Sequence, residues 1–567
     1  MRFGALLILG AVALTACDTG PPHGAADVVI LHGDVRTMDT AHPVAAALAF
    51  SGDRIAFVGD DADAKQWIGP ATRVVDAAGT TVLPGLIDSH IHAAEGALAR
   101  GGCSLGDEQL TIEQAAKKIT ACFAQDKDSK WLVVTDVNGA GFKANRQQLD
   151  SIVRDRPLFL AGSDGHTGWI NSRALALANL TRKSANPEDG RIERDGRGEP
   201  TGFLVDGGVN LITSVMDKPT PEKRLEKLRW ILPQLHAVGI TSYFEANTDG
   251  ETVAAYAELA RLKQLTARVT IALETSATNT KAEFSRLKAL RAEVNGEPLL
   301  RADFIKLFAD GVMEYPTQTA ALLEPYNNAD GNPGQSKGKL YLAPDVMTAF
   351  IKQADVEGFN IHVHAIGDAA VREALDAFGA ARAAGSKRLY SIAHLQLVDD
   401  SDLPRFAALD VLVSLQLLWA QPDNYSIDAL KPWLGADRMA RQYPARSLAE
   451  NHAVIAGGSD WDVTSFNPFA AMATAMSRMN PAKPDRDPLN PEEALSLDEM
   501  LTAYTINAAR LIGRDSEIGS LSAGKAADVI VLDRALTRDT AADAVRTTQV
   551  IHTFFGGREM PRPESIN

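Results

Sequence analysis

The stretch TVLPGLIDSHIH, residues 81–92, is an apolar run that leads directly into two histidines one residue apart. Side chains of a β-strand alternate between its two faces, so His90 and His92 point the same way and Ile91 points to the other side. Two imidazoles on one side of a strand end can bind one metal ion. A chance pairing is the alternative, because the chain contains 12 histidines. The residues farther along the chain must decide between the two.

Segments of alternating type follow this stretch through the middle of the chain. Apolar, β-branched runs such as ADFIKLFADG, FNIHVHAIGD and RLYSIAHLQLV recur, and several precede a helical pattern such as AAVREALDAFGAARAAG. Alternating strands and helices over this length predict an α/β fold, a (β/α)8 TIM barrel at residues 83–512. In such a barrel, polar residues at the C-terminal strand ends carry the chemistry.

Two regions fall outside the alternating pattern. Short β-rich runs separated by Gly and Asp turns occur at residues 27–82 and again at 513–567, and they predict one small β-sandwich built from both chain ends. Residues 95–220 contain strand-like runs and the long polar loop TRKSANPEDGRIERDGRGEP. We predict that this region is an insertion after the first barrel strand and that it caps the mouth of the barrel.

The first 17 residues, MRFGALLILGAVALTAC, combine one Arg with an apolar run and predict a secretory signal too short to span a membrane in the mature protein. LTAC resembles a bacterial lipobox, which implies lipidation of Cys17 and a tether at residues 18–26. An exported lipoprotein, anchored by this lipid and facing the periplasm or cell exterior, is the expectation. An ordinary signal peptide with a chance cysteine is the alternative.

Composition limits the class of partner. The net charge of −15, with no basic run to offset it, argues against a nucleic-acid partner and leaves a small-molecule substrate as the expected one. No pattern indicates an oligomeric state. Export would place the chain where disulfides persist, so Cys103 and Cys122 are candidates for pairing, with two buried thiols as the alternative.

The predicted strand ends carry a set of nitrogen and oxygen donors that would meet at one face of the barrel. Zinc takes imidazole nitrogen and carboxylate oxygen, and a catalytic zinc keeps one position open for water. The donors are His90, His92, Lys306, His364, His394 and Asp460.

Seven motifs together resemble the metal-dependent amidohydrolase superfamily, in its YtcJ-like, N-substituted formamide deformylase-like branch. They are PGLIDSHIH, DGHTGWINSRAL, KLFADG, HAIGDAAV, IAHLQ, GSDWDV and SLSAGKAADVIVLD. The resemblance covers nearly the whole mature chain. It implies a barrel with one or two divalent metals and a hydrolytic reaction.

The family's ligand positions can be carried over to this sequence by matching its motifs. The resemblance then implies that His90, His92 and Asp460 hold one metal and that His364 and His394 hold a second. Two Zn²⁺ ions are the expected cofactor, although the same ligands accept Mn²⁺, Co²⁺ or Fe²⁺. The HAIGD match selects His364 as the ligand, so His362, two residues earlier on the same strand face, is expected to lie below it.

Lys306 would bridge the two metals after carbon dioxide carboxylates its amine. A protonated lysine repels a cation, whereas a carbamate supplies two oxygens and a negative charge that a metal stabilises. A structural ion pair of Lys306 with Asp310 or another carboxylate is the alternative. A site with a single metal would then remain.

The resemblance and the charges predict hydrolysis of a C–N bond in an amide, N-acyl or N-formyl compound by metal-activated water. Asp460 would move the proton, and His166 would bind substrate and stabilise the oxyanion. Trp169 and Asn171 would line the substrate pocket. An esterase, lactonase or deaminase is the alternative on the same centre. A non-catalytic metal-binding lipoprotein is the alternative from another class.

Overall fold

Eight parallel strands surround the centre of the molecule in the computed structural model, which describes residues 24–125, 129–139, 142–187 and 189–563. Each strand pairs in parallel with the next one along the chain, from β1 to β8. Their apolar, β-branched runs are buried on both faces, as parallel strands covered by helices require. The predicted fold class is confirmed. The strands are β1 (Leu86–Ile91), β2 (Ile240–Thr248), β3 (Arg268–Leu273), β4 (Leu300–Phe308), β5 (Asn360–Ala365), β6 (Tyr390–His394), β7 (Val411–Leu415) and β8 (Ile455–Gly457).

The first and last strands of the barrel meet at their C-terminal ends. The backbone N–H of Asp460 donates to the carbonyl of His90 at 2.7 Å. The backbone N–H of Ser459 donates to Oδ1 of Asp88 at 3.0 Å. Gly458 permits this approach, because a Cβ there would lie 2.9 Å from the backbone nitrogen of His90. The backbone itself therefore brings together the two strand ends that carry His90 and Asp460.

Helices connect the strands and cover the outside of the barrel. The helix Asp368–Ala383 buries Val371, Leu375 and Phe378 at helical spacing and turns the opposite face outward. The other helices of the barrel and its loops are Ala93–Ala99, Pro221–Ala237, Gly250–Arg261, Lys281–Glu293, Pro344–Val356, Leu403–Ala408, Asn424–Asp428 (a π-helical turn), Lys431–Leu434, Ala436–Met439, Ala445–Glu450, Pro468–Ser477, Pro491–Glu493 (3-10), Leu497–Ala503 and Ile506–Leu511.

A separate six-stranded sheet lies between β1 and β2 in the chain, where the insertion was predicted. In sheet order its strands are Gly190–Arg194, Pro200–Asp206, Thr167–Ile170, Leu158–Gly162, Leu132–Val137 and Cys103–Ser104. Its helices are Ile112–Gln125, Arg146–Ile152, Ser172–Leu177 and Gly207–Thr213. Cys103 and Cys122 form a disulfide bond with an S–S distance of 2.06 Å, which joins the edge strand to the first of these helices.

Two further sheets share an apolar core, and the second of them contains strands from both chain ends. One contains Val28–Leu31, Ala47–Ser51, Arg54–Gly59 and Arg73–Asp76. The other contains Asp34–Arg36, Val44–Ala45, Thr81–Pro84, Val529–Leu532, Val550–Phe555 and Arg558–Glu559. Three short helices complete this part: Asp61–Ala64, Lys65–Trp67 (3-10) and Ala542–Arg546. The β-sandwich is therefore a composite of both termini, as predicted.

The signal sequence, with Cys17 and most of the tether, lies outside the described residues. None of the helices within the described ranges has the length and apolar character needed to cross a membrane.

Candidate metal centre

All six predicted donor residues lie at the C-terminal face of the barrel. Four of them lie within the last three residues of β1, β4, β5 and β6, His92 directly follows β1, and Asp460 lies three residues after β8. Five of them are almost completely buried, and the His92 side chain is 17% exposed. The parallel strands bring these residues together because their carboxyl ends open on the same side.

His90, His92 and Asp460 converge on one point. Nε2 of His92 lies 3.1 Å from Oδ1 of Asp460, and Nε2 of His90 lies 3.4 Å from the same oxygen. Oδ1 of Asp460 is buried without a geometrically acceptable hydrogen bond. Among the described residues this is the group of three or more His, Cys, Asp or Glu donors whose ligand atoms lie within 4.8 Å of one another. Two imidazole nitrogens and a carboxylate oxygen fit a divalent metal such as zinc.

Burial keeps most of the histidines in their ligating form. It holds the pKa of His90, His364 and His394 well below the usual range, with the nearby charge of Lys306 acting in the same direction. Neutral imidazole is the form that binds metals. His92 differs, because its contact with Asp460 outweighs burial and raises its pKa. A metal bound at this point would replace the proton that His92 otherwise carries.

Neighbouring side chains orient these rings. Nδ1 of His90 lies 2.8 Å from Nε2 of His362, whose own Nδ1 lies 2.7 Å from Oγ of Ser391. His362 thus lies beside His90 as a supporting residue. Such contacts fix which nitrogen of a ligating histidine is free for the metal.

Gln416 orients the ring of His394 in the same way. It was not predicted from the sequence as a site residue. Its Oε1 accepts hydrogen bonds from Nδ1 of His394 at 2.9 Å and from the backbone N–H of that residue at 3.1 Å. Gln416 follows β7 and ends the apolar part of VLVSLQ. A polar residue directly after an apolar strand was the sequence signal that could have identified Gln416.

His364 and His394 adjoin the converging group, with their ring centroids 4.5 Å apart. Nε2 of His364 lies 3.1 Å from the carbonyl oxygen of Gly311, and Nδ1 of His394 lies 3.9 Å from Oδ2 of Asp460. Within the described residues, these two histidines do not form a second converging group with carboxylates. A second metal would therefore need the oxygens of a modified Lys306.

Lys306 projects into the same space. Its Nζ lies 3.4 Å from Nε2 of His90 and 4.8 Å from the centroid of the Phe308 ring. Burial lowers the pKa of the amine to about 7, although the charge of Asp460 opposes this. A lysine that loses its proton so readily is able to react with carbon dioxide, because only the neutral amine is nucleophilic.

The alternative ion pair between Lys306 and Asp310 is absent from the described part of the chain. The Asp310 carboxylate instead accepts backbone N–H hydrogen bonds from Ala321, Ile366 and Gly367. Asp310 thereby holds the loop after β4 against the loop after β5.

The insertion contributes His166 to the centre. The His166 ring centroid lies 5.5 Å from that of His364, and its side chain is 17% exposed. Its Nδ1 lies 2.6 Å from Oδ1 of Asp206. Burial disfavours the charged ring, but the hydrogen bond and charge of Asp206 outweigh it and raise the pKa of His166 to about 9. Asp206, which ends the apolar run GFLV and was not recognised in the sequence, thus favours a positively charged group beside the metal ligands.

Trp169 does not reach the centre, which corrects the prediction that it lines the pocket. It is 2% exposed and packs against Phe142 and Phe203 in the core of the insertion. The indole is large and apolar, and the insertion has its own core to fill. Trp419 is an aromatic residue that does lie at the centre, stacked on His394 with a centroid distance of 5.4 Å.

Asn171 also does not line the pocket, and the prediction for it is wrong. It is fully buried and caps the helix Ser172–Leu177. Its Oδ1 accepts from the N–H groups of Ala174 and Leu158, and its Nδ2 donates to two backbone carbonyls. These bonds occupy the polar groups of the side chain, so its role is structural.

Comparison with known proteins agrees with this geometry. A model described as the amidohydrolase family matches residues 73–560. The chain is similar to Protein LONG AFTER FAR-RED 3 of Arabidopsis thaliana, with 30% identity over 562 residues, 95% of this chain and 92% of that protein. It is also similar to N-substituted formamide deformylase of Arthrobacter pascens, with 28% identity over 554 residues, 94% of this chain and 97% of that protein.

A solved structure shares the fold. The crystal structure of an uncharacterized metal-dependent hydrolase from Pyrococcus horikoshii OT3 superposes with a TM-score of 0.69 at 22% identity, covering 90% of this chain and 98% of that one. The family match covers the barrel, the insertion and part of the composite sandwich. The chain therefore belongs to the amidohydrolase family and is a hydrolase built on a (β/α)8 barrel.

Proposed function

We propose that this hydrolase uses a divalent metal held by His90, His92 and Asp460 to cleave a C–N bond in an amide, N-acyl or N-formyl compound. The observation that carries the proposal is the buried Oδ1 of Asp460, on which two imidazole nitrogens converge at 3.1 and 3.4 Å. Two imidazole nitrogens and one carboxylate oxygen around a single point are ligands that a divalent metal such as zinc takes.

The choice of an N-substituted amide draws on one relative. The Arthrobacter pascens protein is named N-substituted formamide deformylase, and this chain aligns with 97% of its length. The donor set alone would serve several electrophilic substrates. The relative is what favours an amide nitrogen as the leaving group.

When bound, a divalent metal supplies Lewis acidity, which polarises a carbonyl and favours the ionisation of water. Asp460 is our candidate for the proton transfers, since its Oδ2 faces the ligand cluster, 3.9 Å from Nδ1 of His394. It would take a proton from the attacking water and deliver it to the leaving nitrogen. The second transfer matters most for an amide, because a deprotonated amine is a very poor leaving group.

His166 would stabilise the charge that develops on the carbonyl oxygen. It belongs to the insertion, and Asp206 favours its protonated state. A fixed cationic donor in a site closed to bulk water is an effective oxyanion partner. His166 would therefore help bind the substrate as well as lower the barrier.

A second metal is part of the proposal. His364 and His394 would supply nitrogens to it, and Lys306 would supply the carbamate oxygens that link both metals. The proposal draws on the lowered pKa of the amine and its position 3.4 Å from Nε2 of His90. Zinc is the favoured metal, because it accepts this mixture of imidazole and carboxylate donors.

The test is turnover by the zinc-loaded full-length protein on matched pairs of N-alkyl amides and alkyl esters with the same acyl group. The proposal predicts zinc-dependent release of the amine, lost on chelation and restored by zinc. Faster ester or lactone cleavage, or ammonia release from amino-heterocycles, would redirect the function to those substrates. A zinc-replete protein inactive on every class would favour a metal-binding role.

We further propose that the protein is a membrane-anchored lipoprotein, although Cys17 lies outside the described residues. The support is the sequence LTAC after an apolar run. Cys17→Ser should move the protein from the membrane fraction to the soluble fraction. Unchanged fractionation of this variant would contradict lipidation.

A further inference from the structure

The carboxylate of Asp88 is buried next to the ligand cluster and has no role in the chemistry described above. Asp88 belongs to β1, two residues before His90, and is completely buried. Its Oδ1 accepts hydrogen bonds from the backbone N–H groups of His90 at 3.1 Å and of Ser459 at 3.0 Å. One carboxylate oxygen therefore links β1 to the segment after β8, at the residue that precedes Asp460.

These two segments form the seam of the barrel. In the described part of the chain, parallel pairing runs from β1 through to β8, but no ladder joins β8 back to β1. Tyr504 occupies part of this seam. Its carbonyl accepts the N–H of Ile87 at 2.8 Å, and its ring takes the space where a Cβ on Gly457 would lie. Individual hydrogen bonds therefore hold the seam in place of a regular ladder.

The backbone links of the seam belong to the metal ligands themselves. The N–H of Asp460 donates to the carbonyl of His90, and the N–H of His92 donates to the carbonyl of Trp461, both at 2.7 Å. The positions of these three ligands are thus tied to the spacing of the seam. Asp88 spans the seam next to these links, so its carboxylate contributes directly to that spacing.

We propose that Asp88 is a positioning residue that sets the distance between His90 and Asp460 and thereby the affinity for the metal that these residues hold. The inference rests on the proposed function for the metal and on the hydrogen bonds above for the geometry. The carboxylate holds the two strand ends in place before a metal arrives, so binding does not have to order them. Without it, the buried N–H groups of His90 and Ser459 would lose their acceptor, which is costly, and the strand ends would shift to recover one.

The first test measures zinc affinity by competition with a chelator, on the full-length protein and without substrate. Asp88→Ala removes the acceptor and should weaken zinc binding by about 10- to 100-fold, the usual effect of losing a group that orients metal ligands. Asp88→Asn keeps the accepting oxygen and removes the charge, so it should return the affinity close to that of wild type. An Asn variant as weak as the Ala variant would overturn the inference, because the charge of Asp88 would then be responsible.

Asp88→Ser separates the two hydrogen bonds and replaces Asp88→Ala if that variant does not fold. A Ser hydroxyl can accept the N–H of the residue two positions later, His90, but it is one bond shorter than the carboxylate and does not also reach Ser459 across the seam. This variant should therefore bind zinc about 10- to 100-fold more weakly than wild type. Wild-type affinity in Asp88→Ser would overturn the inference, because the link across the seam would then be dispensable.

The control is Asp528→Ala, which removes another buried carboxylate at the opposite end of the barrel. Asp528 accepts the N–H of Gly556 at 2.8 Å and pairs with Arg268, the first residue of β3. This variant should unfold at a lower denaturant concentration than wild type and yet keep the wild-type zinc affinity.

The outcomes separate the inference from the proposed function. A loss of zinc affinity in Asp528→Ala equal to that in Asp88→Ala would reflect general destabilisation and overturn the inference. Equal zinc affinity of wild type and Asp88→Ala would overturn the inference alone. Absence of zinc binding by wild type would overturn the proposed function together with the inference.

Discussion

Nδ1 of His166 lies 2.6 Å from Oδ1 of Asp206, and the backbone N–H of Asp206 donates to the carbonyl of His166 at 2.7 Å. The two residues are thus joined through both side chains and backbone. Asp206 has φ 51° and ψ −123°, a conformation that is strained for a residue with a side chain. Such strain persists where the surrounding structure enforces it, and it concentrates at functional sites. In this protein the strained conformation of Asp206 aligns His166, which the insertion places beside His364.

Replacing Asp206 should therefore weaken catalysis and change its pH dependence. We expect Asp206→Asn to lower kcat by about 10- to 100-fold, the usual effect of losing a charge-assisted hydrogen bond. Asp206 raises the pKa of His166 to about 9, so without its charge the proton is lost at lower pH. The alkaline limb of the kcat profile should move to lower pH.

The matched control is Asp155→Asn, at an exposed position of the insertion. It should leave both kcat and the profile at their wild-type values. An alkaline limb that stays in place in Asp206→Asn would show that the pair serves only the packing of the insertion.

Lys306→Ala should lower the metal content of the purified protein, because the variant cannot form the carbamate that would link two metals. Short carboxylates added during metal loading should restore part of the content. Elemental analysis measures both effects, with Lys281→Ala on an exposed helix face as the control. Unchanged metal content in Lys306→Ala would remove Lys306 from the site.

Gln416→Met tests the orientation of His394. Met is close in shape but offers no oxygen to Nδ1 of His394, which now lies 2.9 Å from Oε1 of Gln416. Loss of a partner that orients a metal ligand typically costs about 10- to 100-fold in metal affinity or activity. Competition with a chelator should reveal this loss as weaker metal binding. Wild-type affinity in this variant would mean that His394 is not a ligand, or that packing alone orients it.

The disulfide between Cys103 and Cys122 should stabilise the insertion. It closes a loop with a sequence separation of 19 residues. Restricting the unfolded chain over a loop of this size contributes about 3 kcal/mol in the chain-entropy picture. The double variant Cys103→Ser and Cys122→Ser should unfold at a correspondingly lower denaturant concentration, and reduced wild-type protein should behave like it. Coincident unfolding curves for oxidised and reduced wild type would refute this contribution.

The barrel, and the positions of the six candidate donors at its strand ends, could be predicted because their signals are local. Each strand is a continuous apolar run, and the donor follows it directly, as His394 follows YSIA. The alternation of side chains along a strand then decides which of two neighbours faces the centre. The order of the eight strands then follows from the (β/α)8 architecture, in which each strand pairs with the next one along the chain.

The contacts of the insertion could not be predicted in this way. Asp206 lies 40 positions from His166 in the sequence, and antiparallel pairing of their strands brings them together. Trp169 and Asn171, although close to His166 in sequence, turn into the core and cap a helix. The order Asn-Ser-Arg-Ala-Leu was a helix N-cap signal that could have identified the role of Asn171. The capping position of Asn171 was therefore a better predictor of its role than its closeness to His166 in the sequence.

We propose that Asp460 both holds the metal and moves the proton. Asn in its place keeps the shape and one oxygen but loses the charge and the basic site. The decisive measurement is turnover of Asp460→Asn at metal occupancy matched to wild type, on any substrate that wild type accepts. We expect a loss of about 10²–10⁴-fold that added metal does not restore, as for a positioned acid–base group. Near-wild-type turnover at full occupancy would contradict it and leave Asp460 as a ligand at most.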